Sequence, residues 1–176
     1  MNKKIYRDLS HLANILHKHK NELAEAYRIN YKIICTSIPG DPIHVGHLSI
    51  LNESAKLGQV LVVLVNSDRF LLAKKGYVFM PMEERLELMA GFEAVDFVVP
   101  WDDGSQFVDS ALEILKPDVF TKGGDRSTLD AVAEKEKFVC EKLGIQLILG
   151  VGGREKVQSS SLLVEEAANK LKQIKG

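Results

Sequence analysis

The stretch Ile38-Pro39-Gly40-Asp41-Pro42-Ile43-His44-Val45-Gly46-His47-Leu48 decides how this chain folds. A short apolar run, Lys32-Ile33-Ile34-Cys35-Thr36, precedes it and reads as a buried strand. After it, Leu48, Leu51, Ala55 and Leu57 recur at helical spacing. The order is strand, tight Gly/Pro turn, then a helix whose first turn carries His44 and His47. A helix start presents unpaired N–H groups and a partial positive charge, which suits phosphate. Two imidazoles there add donors that can follow charge as it builds on a phosphoryl group. Gly46 between them lets a ligand come close to the backbone. Nucleotide phosphates are expected on this turn.

Outward from the turn, apolar strands and amphipathic helices alternate. Tyr31–Thr36 is the expected first strand and Val45–Leu57 the first helix of the repeat. Gln59–Val65 is an almost continuous β-branched run, as a parallel strand buried on both faces requires. Asn66-Ser67-Asp68 ends it as a turn, and a loop through Lys74, Lys75 and Gly76 follows. Pro81 then opens a helix at Met82–Phe92. Val95–Val99 is the expected third strand, Ser105–Leu115 a helix, and Asp118–Thr121 the fourth strand. Ser127–Leu143 reads as a helix, Gln146–Val151 as the fifth strand and Ser159–Ile174 as the last helix. Such alternation implies right-handed βαβ units, a parallel sheet and helices on both faces. Residues 1–30 differ: Ile5, Leu9, Leu12, Leu16, Leu23 and Tyr27 form one helical stripe that must bury itself on the main domain or on a second copy. A dimer through that stripe is the expectation for assembly.

Composition narrows the field. With 176 residues and a formal net charge of −1, the chain suits one domain with a real core and gives no electrostatic case for nucleic acid. Cys35 and Cys140 fall in apolar contexts and read as core thiols of a reducing compartment. The charged N-terminus has no apolar run suited to a signal peptide or a membrane span, so a cytoplasmic protein without a membrane partner is expected. His17 and His19, flanked by lysines, read as a solvated face. No third ligand stands near His44 and His47 at zinc spacing, so no protein-held metal is expected there.

In an open parallel sheet, ligands bind beyond the carboxyl ends of the strands. After strand one come Asp41, His44 and His47; after strand two Asn66, Asp68, Lys74 and Lys75. Strand four leads to Lys122-Gly123-Gly124-Asp125-Arg126, and strand five to Gly152-Gly153-Arg154 and then Ser159-Ser160-Ser161. Cations, glycine pairs and two helix starts converge on one edge. No Gly-Lys-Ser/Thr phosphate loop and no Gly-x-Gly-x-x-Gly after a strand is present. The constellation asks for a triphosphate.

These motifs resemble the HxGH nucleotidyltransferases: His44-Val45-Gly46-His47, Lys122-Gly123-Gly124-Asp125 and the serine triplet, in that order. Val65-Asn66-Ser67-Asp68, Pro81-Met82-Glu83-Glu84-Arg85 and Glu93-Ala94-Val95-Asp96 match further, over about residues 31–165. Within the family the chain is most similar to ADP-heptose synthase nucleotidyltransferase domains and glycerol-3-phosphate cytidylyltransferases. The resemblance implies a Rossmann-like α/β domain over 31–176, with a five-stranded parallel sheet and residues 1–30 as a helical extension. It implies transfer of a nucleoside monophosphate from ATP or CTP to a sugar or polyol phosphate, with magnesium accompanying the triphosphate and pyrophosphate released.

Carried over residue by residue, the resemblance gives His44, His47, Lys74, Lys75 and Arg154 the catalytic roles. The lysines would bridge the α-phosphate and the incoming phosphate. Nucleotide contacts fall to Ile38, Pro39, Gly40, Asp41, Gly46, Lys122, Gly124, Asp125, Ser159, Ser160 and Ser161. Asn66, Asp68 and Arg85 fall on the acceptor side, Arg85 either touching the acceptor phosphate or bracing the pocket floor. Two segments depart from the family. Ile38-Pro39-Gly40-Asp41 stands where Gly-x-Phe-Asp is usual, and Glu155-Lys156-Val157-Gln158 replaces a shorter-chained, glycine-containing stretch. Rival readings are adenylyl transfer to a flavin or pantetheine phosphate, and nucleotide binding without turnover.

Overall fold

A computed structural model describes residues 2–123, 132–153 and 159–175. Its elements are α1 (Leu9–Tyr27), β1 (Ile33–Ser37), α2 (Val45–Ala55), β2 (Val60–Asn66), α3 (Asp68–Lys75), α4 (Met82–Ala90), β3 (Phe97–Trp101), α5 (Asp109–Leu115), β4 (Val119–Gly123), α6 (Glu134–Leu143), β5 (Gln146–Val151) and α7 (Ser160–Lys175). The five strands form one parallel sheet in the order β3-β2-β1-β4-β5. The chain winds outward from β1 in one direction through β2 and β3, then returns to β4 on the other side. The reversal lies between β1 and β4, and it opens a crevice at their carboxyl ends. This is the Rossmann-like α/β fold expected from the alternation.

The sheet packs an apolar layer on each face. On one, Leu9, Leu12, Ala13 and Leu16 of α1 join Ala111, Leu112 and Leu115 of α5 and Val139 and Cys140 of α6 over Ile33, Cys35, Val62 and Phe120. On the other, Leu51 of α2 and Leu86, Met89 and Ala90 of α4 cover Ile34, Leu61, Val63 and Val65. All seven residues of β2 are buried, as its β-branched run requires. Among the described residues, no helix is long and apolar enough to cross a membrane.

Several boundaries moved, each for a local reason. The segment expected as turn and loop after β2 is the helix α3. Ser67 caps it by accepting from the Phe70 N–H at 3.1 Å, and Gly76 closes it in the left-handed region at φ +80°. Only Leu71 of that helix is buried, so no periodic stripe announced it. β3 begins at Phe97, two residues later than expected, and α5 begins at Asp109 because Asp103, Gly104 and Ser105 are spent on turns. The described start of α6 is Glu134; the expected portion 127–131 lies outside the described residues.

Ile5 is not on the first helix. It forms a parallel bridge with Val98, and backbone bonds Tyr6 N–H to Val98 O (2.9 Å) and Val98 N–H to Lys4 O (2.8 Å) fix it there. The N-terminal arm thus covers the outer edge of β3, an edge on which Pro100 is tolerated. Asp8 accepts from His11 N–H at 2.9 Å to start α1. The first half of the helical stripe is consumed within the chain, whereas Tyr27 remains 70% exposed.

Leu12 is fully buried in the layer shared with α5. Leu12→Ala should lower the unfolding free energy, read from a urea titration, by roughly 2–5 kcal/mol. A loss below about 1 kcal/mol would contradict the placement of α1 in the common core.

Candidate active site

The turn between β1 and α2 is held by buried charge from both directions. Asp41, 1% exposed, accepts from the Phe79 N–H (3.0 and 3.1 Å) and the Met80 N–H (2.5 Å), and pairs with Lys75 Nζ at 2.8 Å. Burial alone would push its carboxyl pKa up; the Lys75 ammonium and the two amides outweigh this and hold it below the usual value. In the opposite sense, Arg85 reaches from α4 to the turn. Its guanidinium, fully buried, donates to Pro39 O (2.6 Å), Asn66 O (2.7 Å) and Met80 O (2.9 Å), and pairs with Asp68 at 2.5 Å. Gly40 sits at φ +63°, and a Cβ there would lie 2.6 Å from Met89 Cε. The space beside the residue that replaces the family's aromatic is therefore filled by Met89 and Ile43.

His44 is the N-cap of α2, and the two histidines cap one another's backbone. The Gly46 N–H donates to His44 Nδ1 at 3.1 Å, and the His44 N–H donates to His47 Nδ1 at 3.2 Å. An Nδ1 that accepts carries no proton, so each neutral ring bears its N–H on Nε2. The rings stack with centroids 3.9 Å apart. Burial, then the neighbouring His44, lowers the His47 pKa to about 3. The site is thus built as two neutral donors of fixed tautomer, ready for an anion.

His47 opens onto a cavity of about 200 Å³ at the carboxyl ends of β1, β2 and β4. Ile38, Pro39, Asn66, Lys74 and Lys122 also line it. The two adjacent lysines divide: Lys74 faces the cavity, while Lys75 is turned to Asp41 and donates to its carbonyl at 2.7 Å. Arg85 and Asp68 pair beneath the turn, with Arg85 bonded to its backbone; neither lines the cavity. Ser160 donates to Pro42 O at 2.9 Å, which brings the serine triplet of Ser159, Ser160 and Ser161 to the same turn. Ser49 donates to Gly152 O at 2.8 Å, and a Cβ on Gly152 would strike the Ile50 backbone at 2.8 Å, so β5 ends hard against α2. Gly124, Asp125, Arg154 and the segment 155–158 lie outside the described residues.

The sequence reading passed over Gln106 and Glu136, which also line the cavity. Glu136 is 3% exposed and pairs with Lys122 at 2.7 Å. A signal was present: on α6 it shares the apolar stripe of Val139 and Cys140, a carboxylate where burial was due. Gln106 sits on the loop after β3, where no periodicity applies.

The depressed His47 pKa carries a pH dependence. Below about 6.5 the unfolded chain takes up a proton that folded His47 refuses until about pH 3, so stability falls as pH drops through that window. Asp41 adds loss in the same direction, but only below its ordinary range near 3.8. Between pH 6.5 and 5 the unfolding free energy should fall by about 1–2 kcal/mol, and His47→Asn should remove most of the fall. An unchanged slope in the variant would contradict a neutral buried His47.

Comparison with known proteins places this geometry. Residues 41–170 match the family model described as Cytidylyltransferase-like. The bifunctional protein HldE of Hahella chejuensis is 39% identical over 136 residues, covering 76% of this chain and 26% of that protein. The HldE of Vibrio vulnificus (strain YJ016) is 37% identical over 129 residues, covering 72% and 24%. The chain thus spans about a quarter of the length of these curated relatives. A crystal structure of the lipopolysaccharide core biosynthesis protein from Thermoplasma volcanium GSS1 superposes with a TM-score of 0.58 at 28% identity, over 67% of this chain and 94% of that one. The chain belongs to the cytidylyltransferase-like family.

Proposed function

We propose that this chain transfers a nucleoside monophosphate from ATP or CTP to the phosphate of a sugar or polyol phosphate and releases pyrophosphate. The observation that carries the reading is the pair of neutral, Nε2-protonated histidines at the start of α2, with Lys74 in the adjoining cavity wall. Similarity to HldE proteins and to a lipopolysaccharide core biosynthesis protein supports a sugar phosphate as the acceptor.

In this reaction an acceptor phosphate oxygen attacks the α-phosphorus in line. The new P–O bond forms as the bond to the β-phosphate breaks, and the electron pair leaves with pyrophosphate. No proton needs to be removed from an ionised phosphate nucleophile, so the protein's work is alignment and charge neutralisation. His44 and His47 donate from Nε2 to the α-phosphate oxygens while their Nδ1 atoms keep the backbone bonds that aim the rings. Lys74 draws the two phosphates together against their mutual repulsion. The first turn of α7, with Ser159 and Ser161 beside Ser160, receives the outer phosphates, assisted by Arg154. Gly124 and Asp125 belong to the nucleotide side. Asn66 stands at the acceptor end, while Arg85, Asp68, Lys75 and Asp41 act by positioning the turn.

Among the described residues no group of three His, Cys, Asp or Glu could hold a metal ion. In this reading magnesium accompanies the triphosphate, carried on its oxygens as part of the substrate.

The test separates chemistry from capping. His44→Asn keeps a side chain that caps a helix well, so the thermal midpoint should hold. Pyrophosphate release, assayed with ATP and with CTP against a panel of phosphorylated sugars, polyols, pantetheine and flavin, should fall about a hundredfold or more. Turnover unaffected by the change would contradict the assignment. Nucleotide binding without pyrophosphate from any acceptor would favour a non-catalytic binding protein.

A further inference from the structure

Glu136 is hard to account for as a stabilising group. It is 3% exposed, Lys122 beside it is 5% exposed, and a buried ion pair is commonly no better for stability than a packed apolar pair. The triphosphate of the proposed reaction has no use for it either, because a carboxylate repels phosphate. Yet both side chains line the cavity that His47 and Lys74 enter.

The oxygens of Glu136 are incompletely used. Oε1 accepts from the Val108 N–H at a long 3.4 Å. Oε2 lies 2.7 Å from Lys122 Nζ as an ion pair, but no donor among the described residues is aligned for a hydrogen bond to it. An ionised carboxylate offers about four lone-pair directions. Lys122, held 4.6 Å from the Phe120 ring centroid, supplies the counter-charge that makes such a carboxylate tolerable in the wall.

Gln106 enters the same cavity from the loop after β3. That loop is anchored: Arg69 of α3 pairs with Asp102 at 2.5 Å and packs on Gly104, while Asp102 and Asp103 cap the turns at Gly104 and Ser105. The cavity lining therefore combines the cation Lys74 with the paired Glu136 carboxylate and the Gln106 amide, which together form its hydroxyl-binding wall in the proposal below.

We propose that Glu136, poised by Lys122, and Gln106 read hydroxyl groups of the acceptor and so select a polyhydroxylated phosphomonoester. Hydroxyl protons point to the Glu136 carboxylate, while the phosphate is drawn to Lys74 and His47. An acceptor presenting only apolar surface to Glu136 and Gln106 would leave the carboxylate with Lys122 and the distant Val108 N–H alone, a buried charge incompletely satisfied. This selectivity rests on the nucleotidyl-transfer reading for the acceptor's position.

The test is a binding measurement that needs no turnover. Mannose 1-phosphate and inorganic phosphate are titrated calorimetrically into the full chain saturated with a methylene-bridged, non-reacting triphosphate analogue. Wild type should bind mannose 1-phosphate at least about tenfold tighter than phosphate. Glu136→Gln should lose about tenfold or more for the sugar phosphate while phosphate affinity stays within about twofold, and Gln106→Ala should shift the same way by a smaller factor. Because Gln106 is exposed, its variant decides the matter if Glu136→Gln does not fold. Equal affinities of wild type for the two ligands, or variants that weaken both equally or neither, would overturn the proposal. The predicted binding pattern, followed by no pyrophosphate when ATP or CTP replaces the analogue, would instead count against nucleotidyl transfer and leave the hydroxyl wall standing.

Discussion

The structure of the site depends on an exchange of buried charge across one turn. Asp41 leaves the turn and takes the amides of Phe79 and Met80; Arg85 comes back from α4 and takes the carbonyls of Pro39 and Asn66. Each charge is costly unless its bonds are made, and removing one partner strands the other at several kcal/mol. The arrangement therefore locks the backbone from Pro39 to Asp41. That backbone sets where α2 begins, and α2 begins with the histidines. Pro39 and Gly40 fit the same economy: the left-handed Gly40 leaves its side open to Met89 and Ile43, which supply the packing an aromatic would otherwise provide.

From this fixed turn the rest of the site follows by topology. The reversal of strand order between β1 and β4 leaves a crevice that α2 enters with its positive end. β2 feeds α3, which brings Lys74 to one side; β4 brings Lys122 to the other. The close packing of Gly152 on Ile50 and the bond from Ser160 to Pro42 O return the last helix to the same place. The site is thus an intersection of several chain segments, each aimed by packing remote from it. In the proposed reaction this rigidity is the catalytic asset, since aligned donors need no rearrangement as charge builds.

Much of this was legible from residue patterns. The alternation of apolar runs and amphipathic helices predicted the parallel sheet, and β2 in particular announced burial on both faces. The family motifs pointed to the turn, the histidines and the strand ends. What stayed hidden shares one physical character: a side chain's destination is set by tertiary packing. Lys74 and Lys75 are neighbours of one type, yet a helix sends them a sizeable angle apart, one to the cavity and one to Asp41. Arg85 read as either touching the acceptor phosphate or bracing the pocket floor, and only the folded chain shows three carbonyls converging on it. Ile5 followed the helical stripe in spacing but lies on an edge strand, because backbone pairing with Val98 was available. Glu136 stood on a buried stripe among surface charges, where its neighbours concealed it.

The central claim, nucleotidyl transfer to a phosphorylated sugar or polyol, is tested most directly by product stoichiometry. The chain is incubated with magnesium, ATP or CTP labelled at the α-phosphate, and a sugar 1-phosphate, and the products are identified by mass. The account predicts a nucleoside diphosphate sugar carrying the label and pyrophosphate in a one-to-one ratio. Release of inorganic phosphate with label left in a nucleoside diphosphate, or no labelled sugar with any acceptor, would contradict it.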